Sequence, residues 1–407
     1  MEKTFSSITC FFKLSVTLYS LINLTESLKK QVIEWRRHFH HYPELSFQEH
    51  RTSQFVEDTL RSFGSFIITR PTPTSVVARL IGKEEGKVVA IRADMDALPI
   101  EEENTFAFAS VHKGVMHACG HDGHTAILLG VASVLSQLGN EFKGEIRLIF
   151  QHAEELLPGG AQELVKEGVV EGVDYVIGTH LNSGLPVGEI GVLAGPMMAS
   201  PDTFNISIKG KGGHAAAPHE AIDAIVVGAQ IVTNLQTIVS RTTNPIDKLV
   251  VSVTQFHGGT THNVLPDKVE LNGTVRSFDA ALREKVPAQI DRIVKGLTEA
   301  YGAEYTFTYE KGYHPVINSE EITRLIEETA IEEYGEERVK TLSPKMGGED
   351  FSAYLQETEG AFFNIGARNE EQGIVYPHHH PKFTVDEDSL EIGVKMFLRI
   401  TEKLLAR

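Results

Sequence analysis

The chain has 407 residues, of which 41% are hydrophobic and 23% are charged, a balance typical of globular proteins that excludes disordered and collagen-like classes. Its 38 basic and 55 acidic side chains give a net charge of −17, which opposes binding to nucleic acid or to an anionic membrane surface. The composition therefore favours small-molecule chemistry, with neither nucleic acid nor membrane as a partner.

The two cysteines, Cys10 and Cys119, are too few for a disulfide framework, and a thiol that binds metal is best kept reduced. A cytoplasmic location is therefore expected. The segment 4–24 is apolar, but Lys13 lies at its middle, where a lysine costs roughly 2.5 to 3.5 kcal/mol inside a bilayer. We interpret residues 1–25 as a dispensable N-terminal extension, with a signal peptide or membrane anchor as the alternative.

Short β-branched apolar runs alternate with segments of helical periodicity through the first half of the chain, and this alternation predicts an α/β fold with a largely parallel sheet. The predicted helices are 28–41, 53–63 and 124–138, and the predicted strands are 75–81, 88–92, 145–151 and 175–178. The helix 124–138 is predicted to bury Ile127, Leu128, Val131 and Val134. Asp94-Met-Asp96, Glu154-Glu155 and His180 each follow one of these strands. Because ligands gather at the carboxyl ends of parallel strands, these three motifs are expected to meet at one sheet edge.

From about Asp202 the predicted order changes to strand, helix, strand, strand, helix, strand, which is the ferredoxin-like pattern. In the predicted strand 268–276, Val269 and Leu271 alternate with polar neighbours. The predicted helix after Pro218 has one apolar stripe, formed by Ile222, Ile225, Ala229, Val232, Leu235 and Val239. The α/β pattern resumes after about Gly312. We therefore expect a catalytic domain built from residues 26–200 and 312–407, with an inserted domain at 201–311.

The segment Met116–His124 concentrates possible metal ligands, because Cys119, His121 and His124 lie within nine residues. Structural zinc sites usually close with four Cys or His ligands, whereas this chain has one cysteine here and a pair of carboxylates at Glu154-Glu155. A mixed site of this kind leaves room for water. The pattern thus indicates a hydrolytic metal centre.

A series of motifs occurs in the order found in one known family. They are Asp94-Met-Asp96-Ala-Leu-Pro99, His117-Ala-Cys119-Gly-His121-Asp-Gly-His124, Glu154-Glu155, Gly178-Thr-His180, Gly212-Gly-His214, Asn263-Val-Leu-Pro266 and Gly347-Gly-Glu349-Asp350-Phe351. From about Leu28 to its end, the chain resembles the M20 metallopeptidase/amidohydrolase family, and within it the N-acyl-L-amino acid amidohydrolases (aminoacylases), hippurate hydrolases and auxin-conjugate hydrolases. The resemblance implies two divalent ions (Zn, Mn or Co) per subunit, a lid in the inserted domain, and a homodimer or homotetramer.

The resemblance also implies roles for individual residues. The implied metal ligands are Cys119, His121, Glu155, His180 and His379, with His380 as the fallback for the last and Cys119 as a possible bridge between two ions. Glu154 is the implied general base and acid, Asp96 orients a ligand histidine, and His214 stabilises the oxyanion. Asn263 and Arg276 are implied to bind the substrate carboxylate. Asp94 departs from many broader members, in which a histidine ligand stands at this position.

Two local interpretations accompany these roles. Adjacent side chains of an extended backbone point to opposite sides, so Glu155 is expected to face metal while Glu154 faces substrate.

Gly210-Lys-Gly212-Gly-His214-Ala also fits the G-x-G-x-x-A pattern, but the next predicted helix begins only after Pro218, which disfavours a dinucleotide site.

The motifs and the resemblance together imply a metal-dependent hydrolase that cleaves the amide of an N-acyl-L-amino acid. A dipeptidase or an N-acetyl-diaminopimelate deacetylase of the same family remains an alternative. A catalytically inactive metal-binding protein is the alternative from another class.

Overall fold

A computed structural model describes residues 26–407, so the interpretation of residues 1–25 lies outside the described residues. The described chain divides into two compact units. The large unit comprises the described residues up to Gly195, together with Ile317–Ser343 and Asp350–Arg407, and the small unit comprises Pro196–Val316 and Pro344–Glu349. Residues 196–200, 312–316 and 344–349 were expected in the catalytic domain. They belong to the small unit, where the backbone amide of Ala199 donates to the carbonyls of Lys345 and Gly347.

The helices and strands are numbered along the described chain. The helices are α1 (Glu26–His41), α2 (His50–Phe63), α3 (His121–Leu135), α4 (Gly160–Lys166), α5 (Ala224–Thr237), α6 (Ala280–Tyr301), α7 (Glu320–Tyr334), α8 (Ser352–Glu357) and α9 (Asp388–Leu405). The strands are β1 (Ile67–Thr69), β2 (Val76–Ile81), β3 (Glu84–Asp94), β4 (Lys143–Gln151), β5 (Tyr175–Pro186), β6 (Ile190–Val192), β7 (Gly195–Met198), β8 (Ser200–Lys209), β9 (Gly213–His214), β10 (Leu249–Gly258), β11 (Val264–Leu265), β12 (Lys268–Ser277), β13 (Glu304–Glu310), β14 (Val316–Asn318), β15 (Val339–Thr341) and β16 (Glu359–Arg368). Within residues 26–407, no helix combines the length and apolar character needed to cross a bilayer.

The large unit is built on a sheet in the order β1-β2-β4-β3-β5-β16-β6-β15. Its centre is parallel, because β3 pairs parallel with β4 and β5, and β16 pairs parallel with β5. On one side of this centre, β2 pairs antiparallel with β4 and β1 pairs antiparallel with β2. On the other side, β6 pairs antiparallel with β16. The predicted α/β class with a mainly parallel sheet is confirmed, and the sheet carries antiparallel additions on both sides.

Helix α3 packs on this sheet and forms much of the core of the large unit. Its predicted buried residues Ile127, Leu128, Val131 and Val134 are all at most 1% exposed. The helix begins at His121, three residues before its predicted start, because Gly120 adopts φ 100 as the N-cap. A left-handed backbone favours glycine, so this glycine turns the chain from the Cys119 loop directly into the helix.

The small unit has a four-stranded antiparallel sheet in the order β10-β12-β8-β13, with the element order strand, helix, strand, strand, helix, strand. A separate two-stranded ribbon pairs β9 with β11. Helices α5 and α6 begin at aspartate N-caps, since Asp223 accepts from the amides of Ile225 and Val226 and Asp279 accepts from that of Leu282. These caps satisfy amides that the first helical turn leaves without partners.

The buried face of α5 differs from the stripe that the apolar spacing predicts. Leu235 on the predicted stripe is buried, but Ile225 is 37% exposed. Val239, in the π-helical turn Ile238–Thr242 that follows α5, is 38% exposed. Val227 and Ile231 are buried in their place, against β-strand residues such as Phe204. The helix is apolar on more than one side, so periodicity alone does not select the face that meets the sheet.

Candidate active site

The carboxyl ends of the central parallel strands bring the acidic and histidine motifs together. Asp94 is the last residue of β3 and pairs in register with Gln151, the last residue of β4. β5 continues to Pro186, so His180 lies inside this strand rather than after it. The first turn of α3 follows at the same edge, where His124 Nδ1 lies 2.6 Å from Asp94 Oδ1.

His121 is oriented by Asp96, the residue predicted to hold a ligand histidine. Its Nδ1 donates to the Asp96 carbonyl at 2.9 Å and lies 3.2 Å from Asp96 Oδ1. The opposite nitrogen, Nε2, is buried and has no hydrogen-bond partner among the described residues. Burial lowers the pKa of His121, but Asp94, Asp96 and Glu155 overcome this and raise it to about 10. The Nε2 atom of His121 therefore lies in an anionic pocket, where it can bind a cation once the ring has lost its proton.

His180 and Cys119 form a second ligand pair. His180 donates from Nδ1 to the Leu181 carbonyl at 2.8 Å, which leaves Nε2 as the acceptor atom, 3.4 Å from Cys119 Sγ. Burial, with His124 and His378 nearby, lowers the pKa of His180 well below its usual value. Burial together with Glu155 and Glu154 raises the pKa of the Cys119 thiol well above its usual value. The imidazole of His180 is therefore neutral and able to bind a divalent cation, whereas the thiol of Cys119 becomes a ligand when a cation displaces its proton.

The loop after β4 supplies Glu154 and Glu155. Its backbone is bent rather than extended, and Ala153 has φ 48. As a result, oxygens of both glutamates lie within 4.8 Å of each other and of a nitrogen of His121. The expectation that an extended backbone directs these side chains to opposite sides is therefore wrong. Glu155 Oε1 also lies 3.2 Å from His379 Nε2.

The ligand atoms fall into overlapping groups whose members all lie within 4.8 Å of one another. One group is Cys119, His121 and His180, another is Cys119, Glu155 and His379, and a third is His121, Glu154 and Glu155. Cys119 is common to the first two groups. Glu155 Oε1, like His121 Nε2, is buried without a partner of good hydrogen-bond geometry among the described residues. The donor set therefore fits divalent cations, with one thiol shared between two neighbouring positions.

His124 and Asp94 are close to this cluster but engaged elsewhere. His124 donates from Nδ1 to Asp94, and its Nε2 accepts the Leu181 amide at 2.9 Å, so neither nitrogen is left for a cation. Asp94 also accepts from Arg92 at 2.6 Å. Arg92, which is 1% exposed, further donates to Gln151 and to Asp350, both at 2.8 Å. No motif pointed to this buried arginine, although a charge at the end of the apolar run Val88–Ile91 indicates a buried partner.

Asp350 and the histidine-rich end of α1 both support the fold beneath the site. Asp350 also accepts from Gln151 Nε2 at 2.8 Å, and α8 begins two residues later at Ser352.

In α1, His40 Nδ1 lies 2.8 Å from Asp122 Oδ2, to which Arg36 also donates at 2.8 Å. These buried ion pairs tie α1 to the first turn of α3.

Three predicted site residues lie in the small unit. His214 in β9 pairs with Val264 in β11, directly beside Asn263, and both His214 and Asn263 are exposed. The Ala215 amide donates to the Asn263 carbonyl at 3.1 Å, which joins these two motifs in one ribbon. Arg276 is half-buried near the end of β12, where it donates to the Val275 carbonyl at 3.3 Å and to Thr274 Oγ1.

Comparison with known proteins identifies the family. The profile described as peptidase family M20/M25/M40 matches residues 90–403. The chain belongs to this family. It is 63% identical over 306 residues, 75% of this chain and 83% of the relative, to the N-acyl-L-amino acid amidohydrolase of Geobacillus stearothermophilus. The resemblance seen in the sequence motifs is thus confirmed, and the chain is a hydrolase of the M20 family.

Solved structures of the family share this architecture. A putative aminohydrolase from methicillin-resistant Staphylococcus aureus has a TM-score of 0.89 at 38% identity, covering 95% of this chain and 99% of its own. The YXEP protein of Bacillus subtilis, described as a dinuclear metal binding peptidase from the M20 family, has a TM-score of 0.82 at 37% identity, covering 94% and 99%. The predicted fold is confirmed by these likenesses.

Proposed function

We propose that this chain is a metal-dependent amidohydrolase that cleaves N-acyl-L-amino acids to a carboxylate and a free amino acid. The observation that carries the proposal is the partly buried cluster in which Cys119 belongs to two groups of ligand atoms, beside the paired glutamates. The 63% identity to an enzyme named for this activity supports the choice of substrate. A reducing compartment such as the cytoplasm suits the thiol of this cluster.

All five implied ligand residues are proposed to hold two divalent ions. Zinc, manganese and cobalt are the candidate metals. Cys119 would bridge the two positions, because it completes both the group with His121 and His180 and the group with Glu155 and His379. Hydrogen bonds from the Nδ1 atoms of His121 and His180 to backbone carbonyls direct their Nε2 atoms toward the ions. Bound there, the ions supply Lewis acidity that polarises the substrate carbonyl and makes water acidic.

Glu154 is proposed to move the proton in this reaction. It is 7% exposed, and its carboxylate lies within 4.8 Å of ligand atoms of His121 and Glu155. From this position it would take a proton from the attacking water and deliver it to the leaving amide nitrogen. Asp96 would act indirectly, since it holds both the His121 ring and the backbone amide of Glu155.

The small unit is proposed to serve as a lid and as the contact surface of a homodimer or homotetramer. His214 would stabilise the oxyanion, and Asn263 and Arg276 would bind the substrate carboxylate. The shared ribbon of His214 and Asn263 and the guanidinium of Arg276, which contacts only uncharged oxygens in the described structure, support these roles. Light scattering of the purified chain would decide the oligomeric state.

The experiment is a substrate panel on protein reconstituted with zinc, manganese or cobalt. N-acetyl-L-methionine should be turned over faster than a dipeptide or N-acetyl-diaminopimelate. Glu154→Gln should lower kcat by about a hundredfold to ten-thousandfold, because the general base is lost, while metal content stays unchanged. Glu163→Gln is the matched control, since Glu163 lies on α4 and pairs with His152 at 3.0 Å outside the cluster.

Two results would overturn the proposal. If the dipeptide were the best substrate with every metal, the chain would be a dipeptidase. If Glu154→Gln retained the activity of the control variant, the proton would be moved by another group.

A further inference from the structure

Glu49 is a buried carboxyl group that the proposed mechanism does not use. It is 0% exposed and immediately precedes α2, yet its side chain makes no capping bond to that helix. Its Oε1 instead accepts two backbone amides, that of Phe47 at 3.1 Å and that of Ala153 at 2.8 Å. The carboxyl thus connects the turn before α2 to the loop after β4.

Both amides belong to residues with unusual backbone geometry. In residues 26–407, the non-glycine residues with positive φ are Phe47 at 65, Ala153 at 48 and His379 at 65. A side chain in the left-handed region is strained, so such a conformation persists only when neighbouring contacts hold it. Glu49 therefore contacts two of these three strained residues through one oxygen atom.

The strained Ala153 directly precedes the paired glutamates. Its carbonyl accepts the amide of Gly160 at 2.9 Å, and the amide of Glu155 donates to Asp96 Oδ2 at 3.0 Å. The loop is therefore held at Ala153 by Glu49 and at Glu155 by Asp96. Relaxation of Ala153 toward negative φ would rotate the chain that carries both carboxylates and separate their oxygens from His121.

We propose that Glu49 is a positioning residue that holds Ala153 in its left-handed conformation and thereby places Glu154 and Glu155. This inference rests on the proposed function for the roles of those two glutamates. Burial and the nearby Asp96 raise the pKa of Glu49 to about 8, so the fold keeps a carboxyl where its charge is disfavoured. Its role requires only an acceptor oxygen, because a neutral carboxyl or an amide oxygen also accepts two amides.

The test compares an acceptor with a non-acceptor of similar size. Glu49→Gln keeps an oxygen and should leave kcat and the affinity for Zn²⁺ alone, measured against a chromogenic chelator, within about threefold of wild type. Glu49→Met lacks the acceptor and should lower kcat and Zn²⁺ affinity by about 10- to 100-fold, as seen for residues that orient ligands. KM should change less than threefold, since no substrate contact is removed.

Ala153→Gly adds an independent measurement of the same strain. Glycine adopts positive φ readily, so the Glu49→Met/Ala153→Gly double variant should recover most of the Zn²⁺ affinity that Glu49→Met loses. Glu57→Met is the matched control on α2, because Glu57 is 9% exposed and pairs with Arg61 and Arg70 instead of the loop. It should lower stability without changing Zn²⁺ affinity.

Each outcome decides the question. The proposal is overturned if folded Glu49→Met binds Zn²⁺ as wild type does, or if Glu49→Gln is as impaired as Glu49→Met. If Glu49→Met fails to fold, Ala153→Gly must restore folding, and failure to do so also overturns it. If wild type hydrolyses no N-acyl amino acid, the proposed function fails, whereas the Zn²⁺ measurements still test Glu49 because they need no substrate.

Discussion

The substitution Asp96→Asn tests how the fold orients its candidate ligands. Asp96 is 1% exposed, and its two carboxylate oxygens have different tasks. Oδ1 lies 3.2 Å from His121 Nδ1, whereas Oδ2 accepts Ser46 Oγ at 2.7 Å and the Glu155 amide at 3.0 Å. Asparagine has one oxygen, so its NH₂ must face either the N–H of His121 or that of Glu155.

Either orientation of the substituted amide therefore removes at least one hydrogen bond to a charged group and places its NH₂ against another donor. A hydrogen bond to a charged group contributes about 1.5 to 3 kcal/mol, which corresponds to roughly a 10- to 100-fold loss of metal affinity. Chelator competition with Zn²⁺ would measure it. The control Ser46→Ala removes one neutral donor and leaves both other contacts, so the expected loss is about fivefold or less, or about 1 kcal/mol. Equal affinities of the two variants would refute the orienting role of Asp96.

Two further predictions concern the shared thiol and the substrate carboxylate. Cys119→Ser should reduce the bound metal at both positions, measured by elemental analysis, whereas His379→Ala should reduce it at one; equal stoichiometry in both variants would exclude a shared ligand. Arg276→Ala should raise KM for N-acetyl-L-methionine by about 10- to 100-fold, because a charge-assisted bond of about 1.5 to 3 kcal/mol is lost. For N-acetyl-L-methionine amide, which lacks the carboxylate, KM should show no such increase. An equal increase would show that Arg276 does not bind the carboxylate.

Sequence patterns predicted α3 and β12 because each has a strong local signal, whereas α9 was not predicted and β5 is longer than the predicted 175–178. The apolar spacing in α3 and the alternation of Val269 and Leu271 in β12 correspond to observed buried faces. The strands β1, β6 and β15, of three residues each, are too short to show an alternation of apolar and polar residues. Their pairing depends on the neighbouring strand rather than on their own composition.

The resemblance singled out the candidate site residues, but the sequence did not show their geometry. Adjacent glutamates suggested opposed side chains, whereas the positive φ of Ala153 turns both toward His121. The amide of Ala153 is held by Glu49, which is 104 positions away in the chain. Contacts between such distant residues leave no periodic signal, so spacing within the motif cannot show them.

The electrostatics of the cluster predict that metal binding releases protons. In the metal-free protein, burial and the glutamates raise the pKa of Cys119 well above its usual value, so the thiol is protonated at neutral pH. His121 is also protonated there, because Asp94, Asp96 and Glu155 raise its pKa to about 10 despite burial. Both groups must lose their protons to bind a cation, so affinity rises with pH and falls as pH decreases below these pKa values.

The expected release is about one to two protons for the first ion, which corresponds to a change of about 10- to 100-fold in apparent affinity for each pH unit between about pH 6 and 8. Calorimetric titration with Zn²⁺ in buffers of different ionisation enthalpy would count the protons directly. Cys119→Ser should release about one proton fewer than wild type. Identical heats in all buffers would mean that Cys119 and His121 are already deprotonated before the ion binds. The nearby carboxylates would then not raise the pKa values of the thiol and the imidazole, which would refute this prediction.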